Sequence, residues 1–570
     1  MNVSSLQRYF PILKWLPRYQ RRWLRPDLIA GLTVWMVMVP EAMAYAGIAH
    51  VPPLMGLYTV PLPLFAYAIL GSSRLMVVGP DSATALISAS VVGGLAGAGS
   101  ARFMALTSAL AIAVGVFFFV FGLLKMGWIA SFISQPVMTG FLEGIVLVTI
   151  LGQVPALLGV PEAHGRFFVK LWGIIQESSQ MSWLVPAIGL GSLMLLFLLR
   201  RWAPRLPAGL ITVALAIGLV TALGLAEDGV RVVGMLGAHL PSLRLPDVAP
   251  ADYLKLIPGA LAIVLLGYIE TLASDEGAAL KGGGEADPDQ ELVALGAVNL
   301  GAGVSGGFIA VGSLSKTSVA MSAGGKTQLA YVFTGALVLL TLRFLMPLLE
   351  NLPYATLAAI VIAAMMELDQ SRKLATFWRY NPLEFGLALA ALFGVLILGV
   401  LPGVGLGVAL SLLVLIWRSA HPGVAVIGQM PDGCTFRDIA RHPEARTFPG
   451  LLIFRIDAQL VFPDSRYFVA SVLQEVARAK EPVEVVIINA ETINDVDITG
   501  ADALKKLNAR LAKRGVDLWL AQVKDPVFDK LRRMEIIDVI GVSHCFKSVK
   551  EAVIAFERQR EKLASVKSET

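Results

Sequence analysis

The chain has 570 residues, of which 56% are apolar and only 16% charged, and its formal net charge is +5. This composition excludes an ordinary soluble globular protein. The mean hydropathy of +0.70 is typical of a protein that crosses a membrane many times. The two cysteines, Cys434 and Cys545, lie outside the apolar region and match no metal-binding spacing, so we predict neither a disulfide framework nor a metal site.

The chain begins with a basic segment, residues 1–26. Six cations precede the first acidic residue, Asp27: Arg8, Lys14, Arg18, Arg21, Arg22 and Arg25. Because short basic flanks stay on the cytoplasmic side, the segment predicts a cytoplasmic N-terminus. In the alternative, it lies on the bilayer surface as an amphipathic helix, which is also cytoplasmic. No short apolar core with a small-residue cleavage site opens the chain, so no signal peptide is predicted.

Residues 27–420 form the predicted transmembrane transport domain, in which apolar runs alternate with short Gly, Pro or charged breaks. The clearest run, 103–124, is uncharged, and about twenty helical residues cover the roughly 30 Å of a bilayer core. The predicted segments are 28–50, 54–71, 83–98, 103–124, 128–145, 146–160, 183–200, 207–226, 256–274, 291–309, 314–323, 329–350, 353–366, 384–401 and 403–417. These are fifteen pieces, or fourteen if the pair around 128–160 is one long bent span. An even number places both termini in the cytoplasm.

Two short segments open with the same skeleton, Val-Gly-x-x-Ser-x-Thr. They are VGPDSAT, Val78 to Thr84, and VGSLSKT, Val311 to Thr317. Glycine interrupts the backbone in both, and hydroxyl residues stand where helix N-caps stand: Ser82 in the first, and Ser313 or Ser315 in the second. Short, interrupted segments in corresponding places of two halves indicate a transporter's binding site.

Two helices that begin inside a membrane form an anion site if their N-termini face each other. Each end has unpaired N–H groups and a partial positive charge of roughly half an elementary unit. Lys316 would add a full positive charge to that site. In the alternative, Lys316 snorkels from the end of a span. The duplicated skeleton favours the anion site, and Asp81 is predicted to be only a helix cap.

Three glutamates lie inside predicted spans, where ionisable groups are costly and usually face a cavity. Glu41 follows a proline in the first span, and Glu270 ends the run LAIVLLGYIE. We predict a functional role for Glu270 rather than that of a packing carboxylate. Glu143 has Gly140 and Gly144 beside it, which favours a role in close helix packing.

The sequence changes character after residue 420. Residues 421–445 are predicted to be a polar linker, and 446–560 a small soluble domain. Within it, GLLIFRIDAQLVF resembles paired strands, VEVVIINA and VDLWLAQV resemble buried strands, and DSRYFVASVLQEVARAK and ITGADALKKLNARLAKRG resemble amphipathic helices. Strands that alternate with helices predict an α/β domain with a mainly parallel sheet. Residues 561–570 are predicted to be a polar tail.

Several motifs, in chain order, identify a family resemblance that covers nearly the whole chain. PEAMAYA with PPLMGLY, then GSSRLMVVGPDSAT, SQPVMTGF, and SLSKTSV with GGKTQL resemble the sulfate permease (SulP) family of anion carriers, which includes prestin. The C-terminal part, with DITG at Asp497 to Gly500, looks like the family's STAS domain. The resemblance implies a polytopic α-helical membrane protein of fourteen segments, arranged as two inverted repeats of seven in a core and a gate domain. It also implies a dimer and a C-terminal soluble STAS-like domain.

By the same resemblance, the substrate lies between the half-helices that start near Ser82 and Ser315, with Glu270 nearby. The predicted substrate-binding residues are Glu41, Tyr45, Ser82, Ala83, Thr84, Ser313, Leu314, Ser315, Lys316 and Thr317. Thr499 matches a position that is phosphorylated in related anti-sigma-factor antagonists. In the alternative, Thr499 only N-caps the helix that follows.

The chain departs from the family pattern at two of these positions. The family usually has glutamine where Glu41 stands and often arginine where Lys316 stands. Lysine keeps the positive charge but lacks the planar, bidentate fork of arginine, so recognition of a planar anion is less well supported.

These features predict a secondary active anion transporter of the plasma membrane that works by alternating access, with sulfate as the leading substrate. Bicarbonate and C4-dicarboxylates follow, and then chloride or nitrate; an anion channel or exchanger uses the same site. A membrane-bound sensor is a third class, which an intact Lys316, Glu270 and both openings disfavour. No Walker-type loop, His/Cys cluster or nucleophile elbow occurs, so we predict no enzyme and no cofactor. Expected partners are the anion, membrane lipid, a second copy and a cytoplasmic protein that contacts the STAS-like domain, but no nucleic acid.

Coupling follows from the charges in the predicted site. Lys316 contributes one positive charge and two helix ends contribute roughly one more, which ionised Glu41 and Glu270 would cancel. Because burial favours neutral carboxyl groups, proton binding and anion binding would support each other, which predicts a proton–anion symporter. Glu270 is the preferred coupling residue. Sodium is the rival coupling ion, since an ionised Glu270 beside backbone carbonyls could hold it.

Overall fold

The computed structural model describes residues 10–132, 134–161, 165–177, 182–203, 206–234, 239–279 and 286–569. The chain divides into two compact units, Met1–Ser411 and Leu412–Thr570, and the boundary falls within one long helix. Cation Arg8 of the predicted basic segment lies outside the described residues.

The first unit is helical apart from two three-residue strands, β1 (Val78–Pro80) and β2 (Ala310–Gly312). Its helices are α1 (Ile12–Trp15), α2 (Leu24–Ile48), α3 (Pro53–Tyr58), α4 (Pro61–Leu70), α5 (Ser82–Gly93), α6 (Ala101–Leu123), α7 (Gln135–Leu158), α8 (Phe167–Glu177), α9 (Leu184–Trp202), α10 (Ala208–Leu223), α11 (Pro250–Ala278), α12 (Pro288–Val304), α13 (Leu314–Ser322), α14 (Leu329–Leu340), α15 (Tyr354–Glu367), α16 (Ser371–Tyr380), α17 (Pro382–Leu398) and α18 (Val400–Ala420). Eight helical stretches of the described residues are long and apolar enough to cross a membrane.

These helices supply the fourteen segments of the family fold, with α3 and α4 as one broken segment. The predicted pieces 128–145 and 146–160 are not two spans, because α7 runs without interruption from Gln135 to Leu158. Its only internal proline, Pro155, lies in the last turn, where it does not end the helix early. The fourteen-segment alternative is therefore confirmed.

Besides the short α1 of the N-terminal segment, α8 and α16 lie outside the predicted spans. Both are short and carry charged residues at intervals, so their mean hydropathy does not mark them as membrane segments. In α16, none of the ten residues is buried. Such helices lie beside a bundle rather than within it.

The first unit contains a core group of helices, α2–α6 and α11–α14, and a gate group, α7, α9, α10, α15, α17 and α18. Glycine permits the closest helix contacts in each group. A Cβ added to Gly140 of α7 would lie 1.8 Å from the carbonyl oxygen of Ala388 in α17. Next to it, Oε2 of Glu143 accepts a hydrogen bond from the backbone of Gln370 at 2.7 Å. The packing role expected for Glu143 is confirmed.

The two openings with a shared skeleton meet in the core group. Strands β1 and β2 pair in antiparallel fashion, with Val78 opposite Gly312, Gly79 opposite Val311 and Pro80 opposite Ala310. The amide of Asn299 clamps β2, donating to the carbonyl of Ala310 at 2.8 Å and accepting from its N–H at 3.0 Å. Each strand leads directly into a half-helix, α5 or α13, so both half-helices begin at one crossing point.

The second unit is a six-stranded sheet with helices. Its strands are β3 (Val424–Gln429), β4 (Phe436–Asp438), β5 (Leu451–Ile456), β6 (Val485–Asn489), β7 (Asp517–Ala521) and β8 (Cys545–Phe546), in the order β4-β3-β5-β6-β7-β8. Strands β5 to β8 are parallel, as predicted, and β3 and β4 are antiparallel. Its helices are α19 (Ser465–Arg478), α20 (Ile498–Ala512), α21 (Asp525–Arg533), α22 (Ile536–Ile540) and α23 (Val549–Glu569).

Three predicted boundaries in this unit differ from the structure. The expected linker 421–445 contains β3 and β4. β4 is the edge strand and β3 lies between it and β5, and most residues of both are only half-buried, so they lack the pattern of a buried strand. The stretch GLLIFRIDAQLVF contains one strand, β5, and its second half forms only an isolated bridge from Leu460 to Val496. Residues 561–569 continue α23 instead of forming a frayed tail, because they include strong helix formers such as glutamate, lysine, leucine and alanine.

Candidate functional site

The candidate site lies where α5 and α13 begin. Among the described residues, the N–H groups of Leu314, Ser315 and Lys316 donate to no partner, and neither do those of Ser82 and Thr84. These are the orphan donors that every helix N-terminus carries. Two sets of unpaired N–H groups and two helix dipoles therefore converge at one place in the core group, which suits an anion.

Lys316 lies at this crossing and is 1% exposed. Its Nζ is 3.0 Å from Oε2 of Glu41, and it donates to the carbonyl oxygen of Pro80 at 3.1 Å and to Oγ of Ser313 at 3.4 Å. A snorkelling lysine keeps its ammonium group in water, so that alternative is wrong. Lys316 instead ties β1 to the start of α13.

Glu41 and Tyr45 approach Lys316 from one face of α2, where residues four apart are neighbours. The Lys316 ammonium lies 5.1 Å from the centre of the Tyr45 ring, a cation–π distance. Oε2 of Glu41 is buried and forms an ion pair with Lys316 without a well-aligned hydrogen bond. The structure thus brings Glu41, Tyr45 and Lys316 together, and the carboxylate offsets the charge of the lysine.

Two acidic residues, Asp81 and Glu270, lie on the other side of the crossing. Asp81 caps α5, because its side chain accepts a hydrogen bond from the N–H of Ala83 at 2.8 Å. The cap predicted at Asp81 is therefore confirmed, and Ser82 is the first residue of the helix and not its cap. The carboxyl group of Glu270 is close enough to Asp81 and to Lys316 to interact with both electrostatically. Oε2 of Glu270 is buried and accepts no hydrogen bond from the described residues.

The predicted hydroxyl groups differ in whether they already form hydrogen bonds within the protein. Oγ of Ser82 is buried and has no partner among the described residues. Ser313 and Ser315 share a hydrogen bond at 3.3 Å. Thr317 is committed to the fold, because its Oγ1 accepts from the N–H of Val77 at 3.0 Å and contacts Ser274. Ser82 and Ser315 are therefore the better placed of these residues to contact a bound anion.

The remaining predicted residues contribute little through their side chains. Oγ1 of Thr84 donates back to the carbonyl of Asp81 at 3.3 Å. Ala83 contributes an N–H that Asp81 already occupies, and the side chain of Leu314 is 47% exposed. Ser313 occupies the N-cap position of α13, as predicted, but its side chain forms no capping hydrogen bond.

Sequence reasoning missed an ion pair in the gate group, between Arg200 at the end of α9 and Glu367 at the end of α15. Arg200 also donates to the carbonyl of Ala363 at 3.1 Å. Glu367 is close enough to Glu41 and Lys316 to interact with both electrostatically. Arg200 lies at the end of a predicted span, where cations are common. No local signal in the sequence therefore distinguished it from an ordinary flanking residue.

In the second unit, Thr499 is exposed in the first turn of α20. The N-cap is Asp497, whose Oδ1 accepts from the N–H of Gly500 at 2.7 Å, so the prediction that Thr499 caps this helix is wrong. A depression of about 440 Å³ adjoins Thr499 and carries the cations Arg466, Lys506 and Arg510. A hydrogen bond from Lys506 lowers the pKa of the Asp502 carboxyl group.

Comparison with known proteins supports this architecture. The sequence profile of the Sulfate permease family matches residues 24–391, and that of the STAS domain matches residues 442–552. A probable sulfate transporter of Mycobacterium tuberculosis is 37% identical over 544 residues, which cover 95% of this chain and 97% of the relative. The chloroplastic sulfate transporter 4.1 of Arabidopsis thaliana is 30% identical, over 97% of this chain and 83% of its own.

A solved structure shares the fold at low identity. Murine Slc26a9, described as an anion transporter in the inward-facing state, superimposes with a TM-score of 0.90. The match is 23% identical and covers 98% of this chain and 95% of the other.

Proposed function

Because the chain belongs to the sulfate permease family, a family of membrane transporters, we propose that it is a secondary active transporter of inorganic anions with sulfate as its leading substrate. The observation that carries the proposal is the convergence of the N-termini of α5 and α13 beside a buried lysine. Sulfate is favoured because the relatives in Mycobacterium tuberculosis and Arabidopsis thaliana are named as sulfate transporters.

The anion would bind between the two half-helices. Free N–H groups at the start of α13 and the unpartnered hydroxyl of Ser82 would donate hydrogen bonds to its oxygens. The two helix ends supply roughly one positive charge between them. Lys316 supplies another, but Glu41 offsets it at 3.0 Å while that carboxyl group is ionised. Neutralising Glu41 would therefore make the lysine available to the anion.

Transport would proceed by alternating access, in which the core group moves against the gate group. All of the proposed anion-binding residues belong to the core group. The gate group contributes Arg200 and Glu367, whose ion pair lies near the Glu41–Lys316 pair. A bound anion would thus be carried past a fixed pair of charges on the gate.

We propose that the two acidic positions couple the anion to protons. Each carboxylate lowers the positive potential of the site, so a proton on Glu41 or Glu270 and an anion between the helices would each favour the other. Glu270 is the preferred coupling residue, because its carboxyl group faces that of Asp81, and two adjacent carboxylates disfavour joint ionisation. Sodium bound at Glu270 is the rival.

The finer assignments of location and assembly are also proposals. The cations that precede Asp27 favour a cytoplasmic N-terminus. An even number of segments, fourteen, would then place the C-terminal unit in the cytoplasm as well. The membrane would be the plasma membrane. A homodimer is expected from the family resemblance. A phosphate on Thr499 would find Arg466, Lys506 and Arg510 beside it, so the STAS domain would act as a regulatory unit.

Uptake of radiolabelled sulfate into proteoliposomes tests the function. We expect accumulation above equilibrium when an inward proton gradient is imposed without sodium, and no accumulation when the gradient is collapsed. Bicarbonate, succinate, chloride and nitrate are then added as competitors to identify the substrate. A channel would dissipate a sulfate gradient without coupling, and a sensor would show no uptake. Accumulation with a sodium gradient alone would assign sodium as the coupling ion.

A further inference from the structure

A basic depression opens in the first unit, away from the anion site. It has a volume of about 530 Å³ and is lined by Trp23, Arg74, Leu75, Met321, Ser322 and Lys326. We refer to it as the Arg74–Lys326 basin. It is formed by residues at the start of α2, in the loop before β1, at the end of α13 and in the loop between α13 and α14. None of the residues assigned above to anion binding lines it.

The backbone around the two cations is held firmly. The loop of Lys326 is anchored because Oδ1 of the buried Asp27 accepts from the N–H of Lys326 at 2.7 Å. The loop of Arg74 is anchored by the amide of Gln328, which donates to the carbonyls of Ser73 at 2.9 Å and Met76 at 3.0 Å. The hydroxyl of Tyr331 adds a hydrogen bond to the carbonyl of Leu75 at 2.5 Å.

The cationic groups themselves have no partner among the residues that the structure describes. The side chains of Arg74 and Lys326 are exposed to the basin, and neither forms an ion pair or a side-chain hydrogen bond within the described residues. Two positive charges on a rigid, concave frame suit a phosphate group, since arginine donates in a fork and lysine acts as a point charge. The pocket is thus preorganised for an anion that the described residues do not supply.

The surroundings of the basin favour a lipid as the source of that phosphate. The adjoining N-terminal segment exposes apolar side chains at Leu13, Leu16 and Leu24, between 42% and 49% each. Among these lie the exposed cations Arg21, Arg22 and Arg25. An apolar face beside a row of cations is typical of a segment that lies in the interface of an anionic bilayer. Trp23, at the edge of the basin, is an amphipathic side chain that suits the same depth.

We propose that the Arg74–Lys326 basin binds the phosphate headgroup of an anionic membrane phospholipid. Arg74 and Lys326 contact the phosphate, and Leu75 and Met321 line the side from which the acyl chains leave. The bound lipid would brace one loop at each half-helix element, because the loop of Arg74 leads into β1 and the loop of Lys326 directly follows α13.

The chain offers a matched control on α16. Arg372 and Lys373 are also exposed and form no ion pair with any residue that the structure describes. By the count of segments, α2 and α7 begin on the same side of the bundle. Gln370, just before α16, contacts Glu143 in the first half of α7, so we place Arg372 and Lys373 toward that side as well. Removing these two charges changes the net charge of the protein equally but leaves the basin intact.

The test measures lipid binding by the purified full chain with native mass spectrometry, using phosphatidylglycerol and phosphatidylcholine as probes. We expect Arg74→Ala/Lys326→Ala to weaken phosphatidylglycerol binding about tenfold or more, and Arg372→Ala/Lys373→Ala to change it less than about twofold. The charge-keeping variant Arg74→Lys/Lys326→Arg should retain most of the binding. If the alanine variant is not monodisperse, Arg74→Gln/Lys326→Gln takes its place.

Two outcomes would overturn the proposal. Equal losses in the basin and control variants would mean that diffuse surface charge attracts the lipid. Displacement of short-chain phosphatidylglycerol by an equal concentration of glycerol 3-phosphate would mean that the basin takes a soluble phosphate compound instead of a lipid. We expect glycerol 3-phosphate to compete at least about tenfold less well, because it lacks the acyl chains that Leu75 and Met321 accommodate.

Discussion

The openings of α5 and α13 have the same skeleton and the same backbone, but opposite charge. Both follow a three-residue strand, and the two strands pair with each other about an approximate two-fold axis. The first opening has an acid, Asp81, at its cap, whereas the second has a base, Lys316, in its first turn. Duplication therefore fixed how the helices begin, and divergence of single residues decided which charge each of them presents.

The partners of these charges follow the same symmetry. Lys316, in the second half of the chain, pairs with Glu41 on α2, the first long helix of the first half. Asp81, in the first half, faces Glu270 on α11, which holds the corresponding place in the second half. The charged residue of each half-helix thus interacts with a glutamate on the first long helix of the other repeat. One pair is neutral when both groups are ionised, and the other is not, so the two pairs have different tasks.

The largest effect is expected from Lys316→Ala, which removes the only base of the two openings. At 4 Å and an effective dielectric constant near 20, a unit charge contributes about 4 kcal/mol of attraction, reduced by water entry and rearrangement. Sulfate affinity of the purified variant, measured by calorimetry, should fall at least about tenfold.

Two controls sharpen this result. Lys125→Ala removes an exposed lysine elsewhere in the core group and should leave affinity unchanged. The double variant Lys316→Ala/Glu41→Gln removes the unpaired carboxylate and should regain stability without regaining affinity. Unchanged sulfate affinity in Lys316→Ala would contradict the proposed site.

The next effect concerns proton dependence, measured as uptake under an imposed pH gradient without sodium. Glu270→Gln should abolish most of the stimulation, because a neutral amide cannot exchange a proton with Asp81. Glu41→Gln should reduce the proton stimulation less. This variant should also keep sulfate binding at low proton concentration, because Lys316 then has no carboxylate partner at position 41. If both variants retained the full proton dependence of the wild type, neither Glu41 nor Glu270 would couple transport to protons.

A smaller effect is expected at Asp81, which both caps α5 and faces Glu270. Asp81→Asn keeps an acceptor for the N–H of Ala83, so stability should be preserved while the pH profile of uptake changes. Asp81→Ala should lower the free energy of unfolding by about 1 kcal/mol.

The matched change in the second opening is Leu314→Asn. Leu314 aligns with Asp81 in the skeleton but follows the N-cap residue Ser313, so neither the pH profile nor stability should change markedly. Thermal unfolding in detergent and pH-dependent uptake report the two properties separately. If the pH profile changed in Asp81→Ala but not in Asp81→Asn, Asp81 would act only as a helix cap.

The smallest effect on transport is expected from removing the second unit, because both openings lie outside it. A chain that ends at His421 should retain sulfate uptake, with surface expression measured to exclude a trafficking defect. A chain that ends at Pro431 should aggregate more than one that ends at His421. It keeps β3 without β4 and β5 and so leaves a strand unpaired. Loss of uptake by well-folded protein ending at His421 would make the second unit part of the pathway.

Local patterns in the sequence were sufficient to predict most of the spans, the two half-helices and the central elements of the second unit, and they pointed to the candidate site. Hydropathy over about twenty residues identified the long spans, and the repeated Val-Gly-x-x-Ser-x-Thr skeleton identified the two half-helices. Alternating strand and helix patterns identified β5, β6 and β7 with α19 and α20. Each of these signals depends on residues that are neighbours in sequence, so no knowledge of the tertiary structure was needed.

Only the tertiary structure decided which groups meet. The sequence placed Glu41, Glu270 and Lys316 in one cavity, but it did not pair Lys316 with Glu41 or Glu270 with Asp81. Arg200 and Glu367, and the basin around Arg74, were not predicted, because each joins residues from distant segments. The physical reason is that periodicity and propensity act within one element, whereas electrostatic pairing depends on how two inverted repeats cross. That crossing brings α2 to α13 and α11 to α5, and so determines the chemistry of the site.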